Sequence, residues 1–154
     1  MQSRASALWQ LIGFLLLVAA AASVGAVFKP DPWYAGLAKP AWTPPNWIFA
    51  PVWLTLYVMI AVAGWLAWRN ERRWPALGAW VFGLLLNMVW SWLFFDRHWI
   101  GTSLVDIVAL WCAIIVFLLV IRRSSAPAFW LMLPYLLWVS FAAALNLQIW
   151  RLNS

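Results

Sequence analysis

The sequence predicts an all-α membrane protein, a bundle of five transmembrane helices forming one domain over residues 1–154. Three observations carry that prediction. Hydrophobic residues make up 67% of the chain and charged residues only 9%, against roughly a quarter charged in a soluble domain, so too little polar surface exists to cover a water-facing fold. The apolar residues gather in five runs, about 7–27, 47–68, 76–95, 100–121 and 128–150, each near the ~20 residues that cross a hydrocarbon layer. Runs such as Leu104 to Ile121 do not alternate in polarity. That excludes the ~10-residue alternating strands of a membrane barrel, and helices remain as the way to pair every backbone N–H and C=O in lipid.

Taken in order, the first run combines Arg4, an apolar stretch and the small residues Ala20, Ala21 and Ala22, the pattern of a cleavable signal. Four more spans follow it, so it reads as the first helix. The segment 28–46 is the one long connection and holds five of the nine Pro (30, 32, 40, 44 and 45) with Trp33, Tyr34 and Trp42. Proline fixes φ and lowers the entropy cost of ordering, which suits a loop folded over the bundle end. The remaining connections are very short, so consecutive helices are expected to be antiparallel neighbours. One side of the bundle collects Arg4, Arg69, Arg72, Arg73, Arg122 and Arg123, and the other Lys29, Lys39, Arg97 and Arg151. The excess predicts a cytoplasmic N-terminus with the long loop outside.

Several chemistries lack the residues they need. The net charge of +6 is spread over loops rather than along one polar helix face, as a nucleic-acid reader would require. One cysteine, Cys112, forbids an intrachain disulfide. Metal or haem-iron ligation would fall to His98 and Cys112, which sit in a loop and in mid-helix. No Ser/His/Asp set, glycine-rich phosphate loop or helical carboxylate pair is present. The expectation is no metal, no cofactor and no nucleic-acid partner.

Of the 16 Trp, those near span ends (Trp9, Trp74, Trp99, Trp130 and Trp150) read as interfacial belt residues. Others fall deeper. Trp53 and Tyr57 share a face of the second span at i and i+4, with Gly64 and Trp68 further along, and Trp138, Ala142 and Asn146 repeat the spacing in the fifth. The two faces read either as helix packing or as walls of a flat apolar cavity. Polar residues inside spans are costly and so informative: Asn87, Ser91, Asp106, Asn146 and Gln148. Asp106, near Thr102 and Ser103, is expected to reach the interface or pair with an Arg. Asn87 and Asn146 read equally as interhelical links and as ligand contacts. Ala79 and Gly83 form a small-xxx-small stripe for close contact within the bundle or between protomers.

The segment Leu37-Ala38-Lys39-Pro40-Ala41-Trp42-Thr43-Pro44-Pro45-Asn46-Trp47, preceded by Trp33-Tyr34, resembles the first loop of the TspO/MBR family. That family comprises the tryptophan-rich sensory proteins and the mitochondrial translocator protein, or peripheral benzodiazepine receptor. The resemblance continues through Trp53, Asn87 to Phe95, and Pro134-Tyr135-Leu136-Leu137-Trp138 to Asn146. It implies a five-helix bundle, commonly a homodimer, that binds porphyrins such as protoporphyrin IX and benzodiazepine-type ligands in a pocket closed by the first loop. The positions matching that pocket are Tyr34, Trp42, Pro44, Trp53, Tyr57, Asn87, Trp90, Phe94, Trp138, Ala142 and Asn146. The function implied is a receptor or carrier for tetrapyrroles. In that reading the ring stacks on Trp53 and Trp138, Asn87 and Asn146 take its polar edges, and Lys39 meets its propionates. Two alternatives stand beside it: a light- and oxygen-dependent porphyrin-degrading enzyme using Trp53 and Trp138, and a ligand-dependent sensory or scaffold protein. Leu147 occupies the place of the family's sterol-linked Tyr, which argues against sterol recognition.

Overall fold

The computed structural model describes residues 4–28, 30–70 and 73–154, with backbone alone at Arg4 and Arg73. Lys29, Glu71 and Arg72 lie outside the described residues, so the positive-inside count rests on the sequence. Five helices are long and apolar enough to span: Ala5–Val27, Asn46–Trp68, Trp74–Asp96, Ile100–Ile121 and Ala126–Asn153. These match the five predicted runs to within a few residues. The described residues contain no strand.

We label the helices α1 (Arg4–Val27), α2 (Pro32–Gly36), α3 (Phe49–Trp68), α4 (Arg73–Ser91), α5 (Ile100–Ile121) and α6 (Ala126–Asn153). Short α2 lies inside the segment read as a plain loop. Asp31 caps it by accepting the Tyr34 N–H, and Pro32 opens it, the favoured pairing of a capping carboxylate with proline in the first turn. A single 3₁₀ turn, Asn46–Ile48, leads into α3. Helix α4 runs on into a π-helical turn, Trp92–Asp96, in which the Arg97 N–H donates to the Trp92 carbonyl. At α6, Ser125 caps the start with Pro127 in the first turn, while Pro134 inside the helix leaves the Trp130 carbonyl without its usual donor.

The five spans close into a ring in the order α1, α3, α6, α5, α4, with α4 returning to α1. Consecutive spans are therefore ring neighbours for α1–α3, α4–α5 and α5–α6, whereas the expectation that the short second loop makes α3 and α4 neighbours is corrected, since they meet across the ring. Their meeting point is tight. Gly64 of α3 lies under the Trp80 indole, whose Nε1 donates to the Ile60 carbonyl at 2.9 Å. This half of the bundle is closely packed, filled by Ile60, Ala63, Ala67, Ala76, Trp80, Ile114, Phe117 and Ile121. The stripe on α4 is used in the bundle: Gly83 is buried, and a Cβ there would touch Leu110 and Ala113 of α5. Ala79 packs on the same core. Of the two uses read for the Ala79 and Gly83 stripe, contact within the bundle is the one Gly83 serves, because α5 already occupies the surface it offers.

Candidate functional site

In the other half, toward the long loop, the ring opens into a cavity of about 330 Å³, within the ~300–1,000 Å³ range of small-molecule sites and near its lower end. Of the eleven residues expected in a pocket, nine line it: Tyr34, Trp53, Tyr57, Asn87, Trp90, Phe94, Trp138, Ala142 and Asn146. Trp42 and Pro44 do not. Trp42 is half exposed and meets the Phe141 ring edge-on at 5.6 Å, and Phe141 borders an outer groove between α3 and α6. The proline loop thus reaches past the cavity and rests one aromatic against the outside of the bundle.

Sequence reasoning missed one wall altogether. Ala22, Gly25 and Ala26 of α1 line the cavity, so the small residues near the end of the first span leave space beside α3 and α4. The legible signal was their size; their direction was not. Ser91, at the end of α4, and Phe95 of the π-turn complete the wall beside them.

The aromatic groups form two packed sets. Trp53 stacks on Tyr57 at 5.2 Å, and Trp90 stacks on Phe94 at 5.1 Å. Trp138, on α6, meets Phe49 edge-on at 5.7 Å. Offset and edge-on arrangements are those favoured by the ring quadrupoles, and the indoles of Trp53 and Trp138 both face the same space.

The two buried asparagines act as interhelical links. The Tyr57 hydroxyl donates to Asn87 Oδ1 at 3.1 Å, and Asn87 Nδ2 donates to the Tyr135 hydroxyl at 3.1 Å, tying α3 to α4 and α4 to α6. Asn146 Oδ1 accepts Trp90 Nε1 at 3.0 Å, and its Nδ2 donates to the Ile100 carbonyl at 3.0 Å. Ser103 Oγ lies 2.8 Å from the Ile100 carbonyl and 3.1 Å from Asn146 Oδ1, with one proton to give to either. Each amide thus commits its oxygen and one N–H to the bundle, leaving a single N–H for anything else.

Two sequence readings of charged residues are corrected. Lys39 does not stand free for propionates: its Nζ donates to the carbonyls of Tyr34, Ala35 and Leu37 and lies 4.6 Å from the Tyr34 ring centroid. A lysine ammonium has three donors, and all three serve the end of α2. Asp106 neither reaches the interface nor pairs with a described Arg. It is buried, and its Oδ2 has no hydrogen-bond partner. No charged side chain lines the cavity among the described residues. Nor does any group of three metal-ligating side chains assemble among them.

The loop is held over this end by contacts to the π-turn, to His98 beyond it and to α6. His98, between the π-turn and α5, adopts φ 57° and stacks on Trp33 at 3.9 Å, with Nε2 3.3 Å from Asp31 Oδ2. The Asp31 carboxyl is held below its usual range, first by the Tyr34 N–H and further by His98. Tyr34 then fills the space against Phe94 and Phe95. Burial raises its hydroxyl above the ordinary phenol range, which keeps it protonated and able to donate.

A family model described as TspO/MBR matches residues 14–151. The chain is similar to the tryptophan-rich protein TspO of Chlorobaculum tepidum, 42% identical with 92% of each chain covered. It is also similar to that of Archaeoglobus fulgidus, 40% identical over 94% of this chain and 97% of the relative. The human translocator protein is 35% identical over 92% of this chain and 89% of its own length. With the matched region running from the first span to the end of the last, this five-helix integral membrane protein belongs to the TspO/MBR family.

Proposed function

We propose that this protein is a membrane receptor or carrier for porphyrins, taking a tetrapyrrole into the cavity beneath the first loop. One observation carries the reading: Trp53 and Trp138, on α3 and α6, line a single apolar cavity with Tyr57, Trp90 and Phe94. Flat rings gain both area burial and quadrupole-matched stacking against such walls. The cavity is small for a macrocycle with the loop in place, so the loop lifts to admit it. The N-terminus lies in the cytoplasm and the loop outside, supported by Arg69, Arg122 and Arg123 at the end away from the cavity. A homodimer belongs to the same proposal, through a surface other than the α4 stripe at Gly83.

The test is titration of detergent-solubilised protein with protoporphyrin IX in the dark, following Trp quenching, then illumination in air. Saturable quenching near one site per protomer is expected, weakened about tenfold or more in the double variant Trp53→Phe, Trp138→Phe. Unchanged affinity in that variant sinks the pocket assignment. A new absorbing product under light, lost in the same variant, would favour the degradation reading, for which the shared exposure of both indoles to the cavity is the support.

A further inference from the structure

Ser91 is the last residue of α4 and lies directly before the π-turn. Three other helical hydroxyls bond backward along their own chain: Ser23 to Ala19, Thr55 to Pro51 and Ser140 to Leu136, at 2.8–2.9 Å. That i−4 bond is the usual resting place of a helical hydroxyl with no better partner. The Ser91 hydroxyl makes no hydrogen bond to any described residue, although the residue lines the cavity. Opposite it stands Gly25 of α1, where a Cβ would come within 3.4 Å of Ser91 Oγ. A side chain there would cover the hydroxyl, and glycine leaves it open.

The remaining polar groups narrow what this hydroxyl meets. Asn87 and Asn146 each keep one N–H beyond their interhelical bonds, Lys39 is committed to α2, and Asn46, which also lines the cavity, has no side-chain hydrogen bond to a described residue. The Tyr34 hydroxyl is likewise without a partner among the described residues and lies on the loop side of the cavity. The Ser91, Tyr34 and Asn46 side chains thus bring free donors to the loop half of the cavity, beside the one uncommitted N–H of each buried asparagine, while the opposite half of the bundle is closely packed and apolar. A ligand with one polar edge is best placed with that edge toward the loop half, since burying it among apolar groups is costly.

We propose that Ser91 is a specificity-determining contact, donating its hydroxyl proton to a carboxyl oxygen on the propionate edge of a bound tetrapyrrole. This rests on the porphyrin reading and fixes the orientation of the ring within it. An O–H to carboxylate bond is short and stronger than a neutral one.

The experiment compares protoporphyrin IX with etioporphyrin, which has the same ring and only alkyl substituents, on full-length solubilised protein. Ser91→Ala is expected to weaken protoporphyrin IX about tenfold and to leave etioporphyrin within about twofold, with the melting temperature unchanged because no bonded partner is orphaned. Equal losses for both ligands, or no loss for protoporphyrin IX, overturn the Ser91 assignment. The Trp53→Phe, Trp138→Phe variant separates the two failures. If it loses both porphyrins while Ser91→Ala loses neither, the pocket stands and the serine does not. If wild-type protein binds neither porphyrin saturably, both readings fall.

Discussion

Asn153, in the last turn of α6, is stapled to the main chain of Ala38, 115 positions earlier: its Oδ1 accepts the Ala38 N–H at 3.0 Å and its Nδ2 donates to the Ala38 carbonyl at 2.9 Å. One side-chain amide thereby satisfies both backbone groups of a loop residue, as a neighbouring strand would. The second Nδ2 proton goes to the Ile149 carbonyl at 2.7 Å, which fixes the amide plane on its own helix. The long loop is thus tied down at two places, Ala38 on α6 and Asp31 with Trp33 on His98.

If this staple holds the loop over the cavity, Asn153→Ala should speed porphyrin dissociation about three- to tenfold, since each exposed hydrogen bond contributes about 1 kcal/mol. The melting temperature should barely move, because the spans do not depend on it. Stopped-flow fluorescence after dilution measures the rate. An unchanged rate with unchanged affinity would show that the loop opens without breaking this contact.

The second tie is pH-sensitive through Asp31. Its carboxyl is depressed in the folded protein, so its contribution is complete above the ordinary carboxylate value of about 3.9 and is lost as pH falls through the lower folded value. The Tyr34 amide reports this directly, being 3.0 Å from Asp31 Oδ1. Its hydrogen-exchange protection, corrected for intrinsic rate, should stay level from about pH 7 to 5 and collapse well below 4. Asp31→Ala should remove the protection at every pH.

Gly64→Ala tests the tight half of the bundle. A Cβ at Gly64 would lie 2.5–2.8 Å from three atoms of the Trp80 indole, and Trp80 is buried and pinned to the Ile60 carbonyl. Relief requires α3 and α4 to separate or the indole to leave its bond. Overpacking of this kind costs about 1–3 kcal/mol, visible as a lower melting temperature in detergent. A wild-type melting curve would mean that the helices part freely there.

Asn87→Ala removes the partner of Tyr57 and of fully buried Tyr135 together. The expected loss is about 1–3 kcal/mol of stability, dominated by the orphaned Tyr135 hydroxyl. Adding Tyr135→Phe should recover part of it, because the unsatisfied group is then gone. A double variant less stable than Asn87→Ala alone would contradict that account and place the value of Tyr135 elsewhere.

Much of the fold was legible in the chain because a bilayer imposes a one-dimensional rule: about 20 apolar residues make a crossing, and charge or proline ends it. The five spans follow from that rule alone. The i, i+4 spacing of Trp53 with Tyr57, and of Trp138 with Ala142 and Asn146, identified faces that do line one cavity. Periodicity could not separate Trp42 from them, because a loop residue has no helical face, and its direction depends on where Phe141 stands.

What the sequence by itself determined was the number, length and polarity of the helices, together with the resemblance that names the family. Tertiary structure alone decided which surfaces face each other: that Gly83 meets α5, that the small residues of α1 wall a cavity, and that Lys39 and Asn153 spend their donors on the loop. The physical reason is that hydropathy is read by lipid one helix at a time. Hydrogen-bond satisfaction and close packing are instead settled between residues up to 115 positions apart, and no local pattern encodes their partner.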